Sequence, residues 1–409
     1  MNIENTAPIT KIVWCLLIGI MCTNAAQFIS MPFLALFLLK KKYSLWLSGL
    51  VIGAAPFSSM FGGFLGGQLS DVYGRIALLT SSLFATAFIF CAFYFACQIE
   101  EKTIQLVWLL IINFSFGLFS SFFQPTVMAL LSDLLQPQNR ERIYQYRYAA
   151  VNIGAVLGPL AGIYLGLTLS PNSFIYGGAV YFIYGVVLHF LLTQNKRCII
   201  QRQQKCISIH ASLKALLKDT RLLNFILFNL LFAISYSQIN STLAQFISQQ
   251  IGNGAQVYAM TIALNALIVL IGQTPVYLVT QSIPKNKSIL YGCLIFSLGF
   301  LGLAFSGSSS LSYYFSIIII TLGELLIYPL ASKFIDDIAP AHLRGTYFGA
   351  LTFRELGLAL GPFLGGLVLQ FIGGKFLFIS MGILAIASYY YIVLCEQAKQ
   401  RFTYNLVNI

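Results

Sequence analysis

The chain has 409 residues, of which 58% are hydrophobic and 9% charged, and its mean hydropathy is +0.81. Soluble domains carry about 25% charged residues, so this chain cannot cover a water-facing surface of its size, and hydrocarbon must cover most of it. The net charge of +12 suits loops that face anionic leaflets; binding to nucleic acid is not expected. The eight cysteines form no C-x-x-C pair, and His189, His210 and His342 are scattered. Metal-site spacing is absent, and no metal or cofactor is expected.

Taken in order, apolar runs of spanning length fall near 12–39, 46–69, 76–97, 104–131, 144–168 and 174–193. After a polar stretch they resume near 222–248, 256–280, 289–306, 311–335, 346–371 and 376–395. A helix rises about 1.5 Å per residue, so each run can cross a hydrocarbon core of about 30 Å. The pattern predicts an all-α membrane protein of twelve transmembrane helices. The first run is longer than a signal-peptide core and reads as a retained span. The stretch 194–221 divides the chain into a six-span half, 1–193, and a second half with a short tail, 222–409. Within it, "ASLKALLKDTRLL" has amphipathic spacing that suits the membrane surface. Basic loop residues number sixteen on the side that carries both termini and five on the other. The positive-inside rule therefore predicts cytoplasmic termini, with the Lys40–Lys42 cluster as a local exception.

The sequence repeats itself at a constant spacing of 203 residues. Asp133 matches Asp336, Pro137 matches Pro340 and Tyr144 matches Tyr347. Gly154, Gly158, Pro159 and Gly162 match Gly357, Gly361, Pro362 and Gly365. The repeat distance is six spans, as in transporters built from two parallel halves.

Two motifs carry a family resemblance. The loop after the second span reads Gly67-Gln-Leu-Ser-Asp71-Val-Tyr-Gly74-Arg75. Gly67 and Gly74 allow close packing and a sharp turn, and the carboxylate can face the positive end of a neighbouring helix. This resembles the motif between helices two and three of the major facilitator superfamily. The fifth span carries Gly154-x-x-x-Gly158-Pro159-x-x-Gly162, which resembles the motif of that family's drug:proton antiporter branch. Small residues four apart let helices touch, and proline bends the chain between them. The resemblance implies two pseudo-symmetric six-helix bundles around a central cavity. It also implies that Asp71 faces the start of the eleventh span near Gly345 and that Arg75 pairs with Asp133. Two departures stand out. The same glycine-proline pattern recurs at Gly357, Gly361 and Pro362, which duplication alone can produce. Antiporters of that branch often carry an arginine where this chain has Asn113.

Ionisable residues at membrane depth are costly and mark functional hypotheses. Glu324 lies twelve residues before Asp336, about 18 Å along a helix and so near mid-bilayer. An unpaired carboxylate there can load and release a proton, whereas a paired one ties two helices together. Arg354 and Glu355 are adjacent in the eleventh span, where neighbours point about 100° apart and need different partners. Arg147, near the start of the fifth span, is read as snorkelling to the interface. Uncharged polar residues mark a candidate cavity: Asn24, Gln27, Asn113, Tyr236, Gln238, Asn240, Asn265 and Tyr328. With many aromatics, they suit an amphipathic small molecule.

No filter sequence suggests a channel, and G-x-S-x-G, H-E-x-x-H and Walker motifs are absent. The sequence therefore reads as a non-enzymatic secondary transporter. The expected activity is proton-coupled efflux of small amphipathic compounds, multidrug efflux included, by a monomer in a bacterial cytoplasmic membrane. The alternative is a specific carrier of a siderophore, peptide or metabolite.

Overall fold

The structure is a computed structural model, and it describes residues 7–167, 170–195, 219–280, 282–338 and 350–407. Among these the regular structure is helical, in the order α1 (Ala7–Lys40), α2 (Leu45–Tyr73), α3 (Arg75–Gln98), α4 (Lys102–Ser121), α5 (Phe123–Leu134), α6 (Pro137–Tyr164) and α7 (Asn172–Gln194). Then follow α8 (Thr220–Tyr236), α9 (Thr242–Gln250), α10 (Gly254–Thr280), α11 (Lys285–Ala304), α12 (Ser310–Ile338), α13 (Arg354–Phe371) and α14 (Gly374–Val407). In hydrocarbon every backbone amide must find its partner within the protein, and a helix does this within one segment.

Among the described residues, eleven spans are long and apolar enough to cross a membrane. The remaining long helix is α6, whose first turns carry Arg140, Glu141, Arg142 and Arg147. These charges lower its hydropathy, and the helix starts seven residues before the expected apolar run. With α6 the count reaches twelve, as the sequence predicts. The amphipathic linker segment lies outside the described residues.

Two spans are each built from two helices. The fourth is interrupted at Phe122, where α4 passes into α5 just before Pro125. Proline lacks the N–H that would continue the ladder, so the interruption falls in front of it. The seventh tightens to a 3-10 turn at Ser237–Asn240, and Ser241 (φ −135°, ψ −85°) leaves the helical region before α9 begins. Glu101 starts α4 by accepting the amide N–H groups of Thr103 and Ile104, which holds its carboxyl below the usual carboxylate range.

Packing divides the described residues into two compact units. The first takes those of Met1–Lys42, Ala54–Lys205 and Ala255–Leu267; the second takes those of Tyr43–Gly53, Cys206–Gly254 and Ile268–Ile409. Two helices are thus shared out. The opening turns of α2 pack within the second unit, and the first half of α10 packs within the first. In the second unit, a Cβ at Gly49 would fall 2.1 Å from the Pro362 carbonyl oxygen, and one at Gly53 would fall 2.2 Å from that of Ala359. The Leu45 N–H also donates to Gln370 Oε1 at 2.9 Å. Two bare glycine faces therefore let α2 lie against α13.

Candidate functional site

The short loop between α2 and α3 turns at Gly74, whose φ of 88° favours glycine. Arg75 opens α3 immediately after it. Its Nε forms an ion pair with Asp133 Oδ2 on α5 at 2.9 Å, and both side chains are buried (7% and 10% exposed). Arg140 closes the end of α5, donating to the carbonyl oxygens of Ser132 (2.6 Å) and Leu135 (3.2 Å). The side-chain surroundings of Gly67 and Asp71, and the start of the eleventh span at Gly345, lie outside the described residues.

The repeated glycines make two equivalent helix contacts. In the first unit α6 packs on α1: a Cβ at Gly154 would lie 2.4 Å from the Met21 carbonyl oxygen, and one at Gly158 would lie 2.5 Å from that of Ala25. In the second unit α13 packs on α8, with Gly357 at 2.3 Å from the Leu230 oxygen and Gly361 at 2.8 Å from that of Ile234. Partner positions differ by the same 209 residues in both cases. Pro159 and Gly162 face Phe28, Ile29 and Pro32 of α1 and Tyr258 of α10.

At the equivalent place in the second contact the two units diverge. Ile29 of α1 corresponds to Gln238. Gln238 is fully buried. Its Nε2 donates to the carbonyl oxygens of Ile234 (2.8 Å) and Gly361 (2.9 Å), and its Oε1 accepts from the Thr242 hydroxyl at 2.7 Å. The amide thus spans the 3-10 turn of the seventh span and fastens it to α13. Gly365 leaves the room, since a Cβ there would strike Gln238 Oε1 at 1.9 Å.

The carboxylate that the sequence reading puts at membrane depth sits beside this turn. Gly323 allows α12 to press on α11, where a Cβ would fall 2.6 Å from the Phe296 amide nitrogen. The next residue, Glu324, is buried at 9% exposure. The Tyr236 hydroxyl of α8 donates to its Oε1 at 3.1 Å. Tyr236 meets Tyr328 edge-on at 5.3 Å, one turn along α12 from Glu324. The Arg354 guanidinium lies 4.4 Å over the Tyr328 ring and 5.8 Å from that of Tyr236. Carboxylates of both Glu324 and Glu355 act on it electrostatically. Its Nε is buried without a hydrogen-bond partner among the described residues. A 3-10 turn at Ala350–Phe353 precedes Arg354, so Arg354 and Glu355 form the first turn of α13. There the Glu355 carboxylate complements the helix dipole. α12 continues as helix through position 329 to Ile338.

Of the other candidate polar residues, Asn24 turns back to the Ile20 carbonyl of its own helix at 2.9 Å. Gln27 and Asn265 are half-buried, Asn240 is exposed, and Asn113 is buried within the first unit. Arg147 Nη1 donates to Gln124 Oε1 at 2.7 Å, beside the junction between α4 and α5. The Gln-Pro step after an aromatic pair is the signal that could have marked this junction.

Comparison with known proteins agrees with this architecture. The sequence profile of the Major Facilitator Superfamily matches residues 16–355. An uncharacterized MFS-type transporter, YqjV of Bacillus subtilis (strain 168), is 31% identical over 369 residues, covering 89% of this chain and 88% of its own. The Na(+), Li(+), K(+)/H(+) antiporter of Planococcus maritimus is 22% identical, covering 85% and 87%. Multidrug resistance protein MdtH of Salmonella typhimurium (strain LT2) is 25% identical, covering 81% and 77%. Among solved structures, the peptide transporter POT in complex with sulfate superimposes with a TM-score of 0.77 at 14% identity, over 94% of each chain. The nucleoside transporter NupG does so with 0.75 at 13% identity, over 94% and 99%. At such identities these structures speak for the fold. The profile and the B. subtilis relative speak for descent: the chain belongs to the Major Facilitator Superfamily of membrane transporters.

Proposed function

We propose that this transporter exports small amphipathic compounds in exchange for protons, by alternating access, in a bacterial cytoplasmic membrane with both termini inside. The observation that carries the reading is the cluster of Glu324, Tyr236, Tyr328, Arg354 and Glu355 in the second unit. Two carboxylates act on one guanidinium there, at a depth where an ionised group is costly. Protonating Glu324 removes one of the two attractions on Arg354, while Glu355 and the tyrosine faces retain it. Since Arg354 opens α13 and Glu324 belongs to α12, a proton gained or lost alters how the two helices hold each other. The Gln238 amide carries that change to the turn in the seventh span. The buried Arg75–Asp133 pair and the Gly154–Gly158–Pro159 contact are the corresponding fixed points of the first unit. The names of MdtH and of the P. maritimus antiporter favour efflux and proton exchange respectively.

The test is a screen of compound classes against the purified protein in proteoliposomes that hold a pH-sensitive dye. Amphipathic compounds moving down their gradient should drive protons the opposite way. Substrate movement with no proton movement, under an imposed pH gradient of either sign, would contradict the reading.

A further inference from the structure

In the first unit α1 and α7 leave a groove of about 950 Å3 between them. One wall is the α1 stripe through Trp14, Ile18 and Cys22; the other holds Val180 and Val187 of α7. These positions follow the helix period, so the groove runs along the helices. From Lys11 to Cys22 it extends about 16 Å at 1.5 Å per residue, half of a hydrocarbon core of about 30 Å. Gly19 closes its floor: a Cβ there would lie 2.0 Å from the Tyr184 ring, which rests on the α1 backbone. The walls are almost wholly carbon, and Trp14, Ile18 and Val187 are 50%, 53% and 50% exposed.

Charge gathers at one end. Lys11 lines the groove there. Trp14 stacks on Tyr146 at 6.4 Å, and the Arg142 guanidinium lies 5.4 Å over that same ring. Arg142 Nε also donates to the Tyr146 hydroxyl at 2.7 Å, which fixes the cation in place. Lys11 and Trp14 therefore stand at one mouth of an apolar trough one leaflet deep, and Tyr146 and Arg142 of α6 follow on from Trp14.

We propose that this groove seats one acyl chain of an anionic phospholipid whose phosphate is held by Lys11 and Arg142. The length matches a single leaflet, the lining matches a hydrocarbon chain, and the charge matches the headgroup. The inference stands apart from the transport reading, since it uses none of the residues of the Glu324 cluster.

The experiment is native mass spectrometry of the full chain after exchange into an equimolar mixture of dioleoyl phosphatidylglycerol and dioleoyl phosphatidylethanolamine. The wild type should retain one phosphatidylglycerol in preference. Lys11→Gln and Arg142→Gln should each lower that retention about fivefold, leaving phosphatidylethanolamine unchanged. Val187→Trp, which fills the trough, should remove retention of both lipids; Ile18→Trp on the facing wall does the same if the first variant does not fold. Soluble glycerol 3-phosphate should not displace the lipid. Equal retention of the two lipids, indifference to the charge variants, survival of binding in a filled groove, or displacement by glycerol phosphate would each overturn the proposal.

Discussion

Replacing Gly158 by alanine tests how far the repeated helix contact depends on a missing side chain. The new Cβ would start 2.5 Å from the Ala25 carbonyl oxygen and 2.8 Å from Phe28 Cβ. Ordinary contact between such atoms needs about 3.5 Å. The obstructing oxygen is backbone, so no rotamer relieves the clash, and α6 must move about 1 Å away from α1. A gap of that size forfeits up to about half of each dispersion contact along the seam, and overpacking of this kind costs about 1–3 kcal/mol. Gly63→Ala is the control, because nothing lies within 4 Å of its Cβ position on α2. There alanine should be neutral or stabilise by up to about 1 kcal/mol through helix propensity. Both variants are read by reversible unfolding in mixed micelles. If Gly158→Ala is as stable as Gly63→Ala, the close approach of α6 and α1 is not what holds this seam.

Three further outcomes follow from the geometry. Gln238→Leu deletes three buried hydrogen bonds worth about 0.6–1 kcal/mol each in a membrane protein. A loss of about 2–3 kcal/mol in the same unfolding assay is expected, with Thr242→Val non-additive, and full additivity would detach Thr242 from the amide. Arg75→Gln should destabilise by about 3–5 kcal/mol because it removes one partner of a buried ion pair. Adding Asp133→Asn should then recover part of that loss in a double-mutant cycle. Arg147→Leu leaves Gln124 without its donor; it should increase hydrogen exchange around Phe122 while exchange in α13 stays unchanged.

Much of the fold was legible because bilayer thickness sets the length of each apolar run. The exception is instructive. α6 carries four charged residues in its opening turns, and its apolar portion understates the helix at one end. The repeat located Gly154, Gly158, Gly357 and Gly361 before any contact was known, since a bare helix face leaves a spacing in the sequence. Gly49 and Gly53 left no such mark. Their partners on α13 are more than 300 residues away, and nothing local says which helix a glycine will meet. Gln238 shows the other limit. A glutamine in a membrane span reads equally as cavity lining or as a helix fastener, and the choice depends on the room that Gly365 leaves. The same ambiguity applied to Glu324: the Tyr236 hydroxyl that meets it lies on another helix.

The central claim is that Glu324 couples protons to transport. Paired assays in proteoliposomes, with and without an imposed pH gradient, test it on Glu324→Gln and on Glu355→Gln. Glutamine mimics the protonated carboxyl and can still accept from Tyr236, so Glu324→Gln should keep downhill exchange while losing gradient-driven accumulation and its pH dependence. Glu355→Gln, which retains Glu324, should still accumulate substrate. If Glu324→Gln concentrates substrate at the wild-type rate and with the wild-type pH dependence, Glu324 serves only to join α12 to α8, and the coupling assignment is wrong.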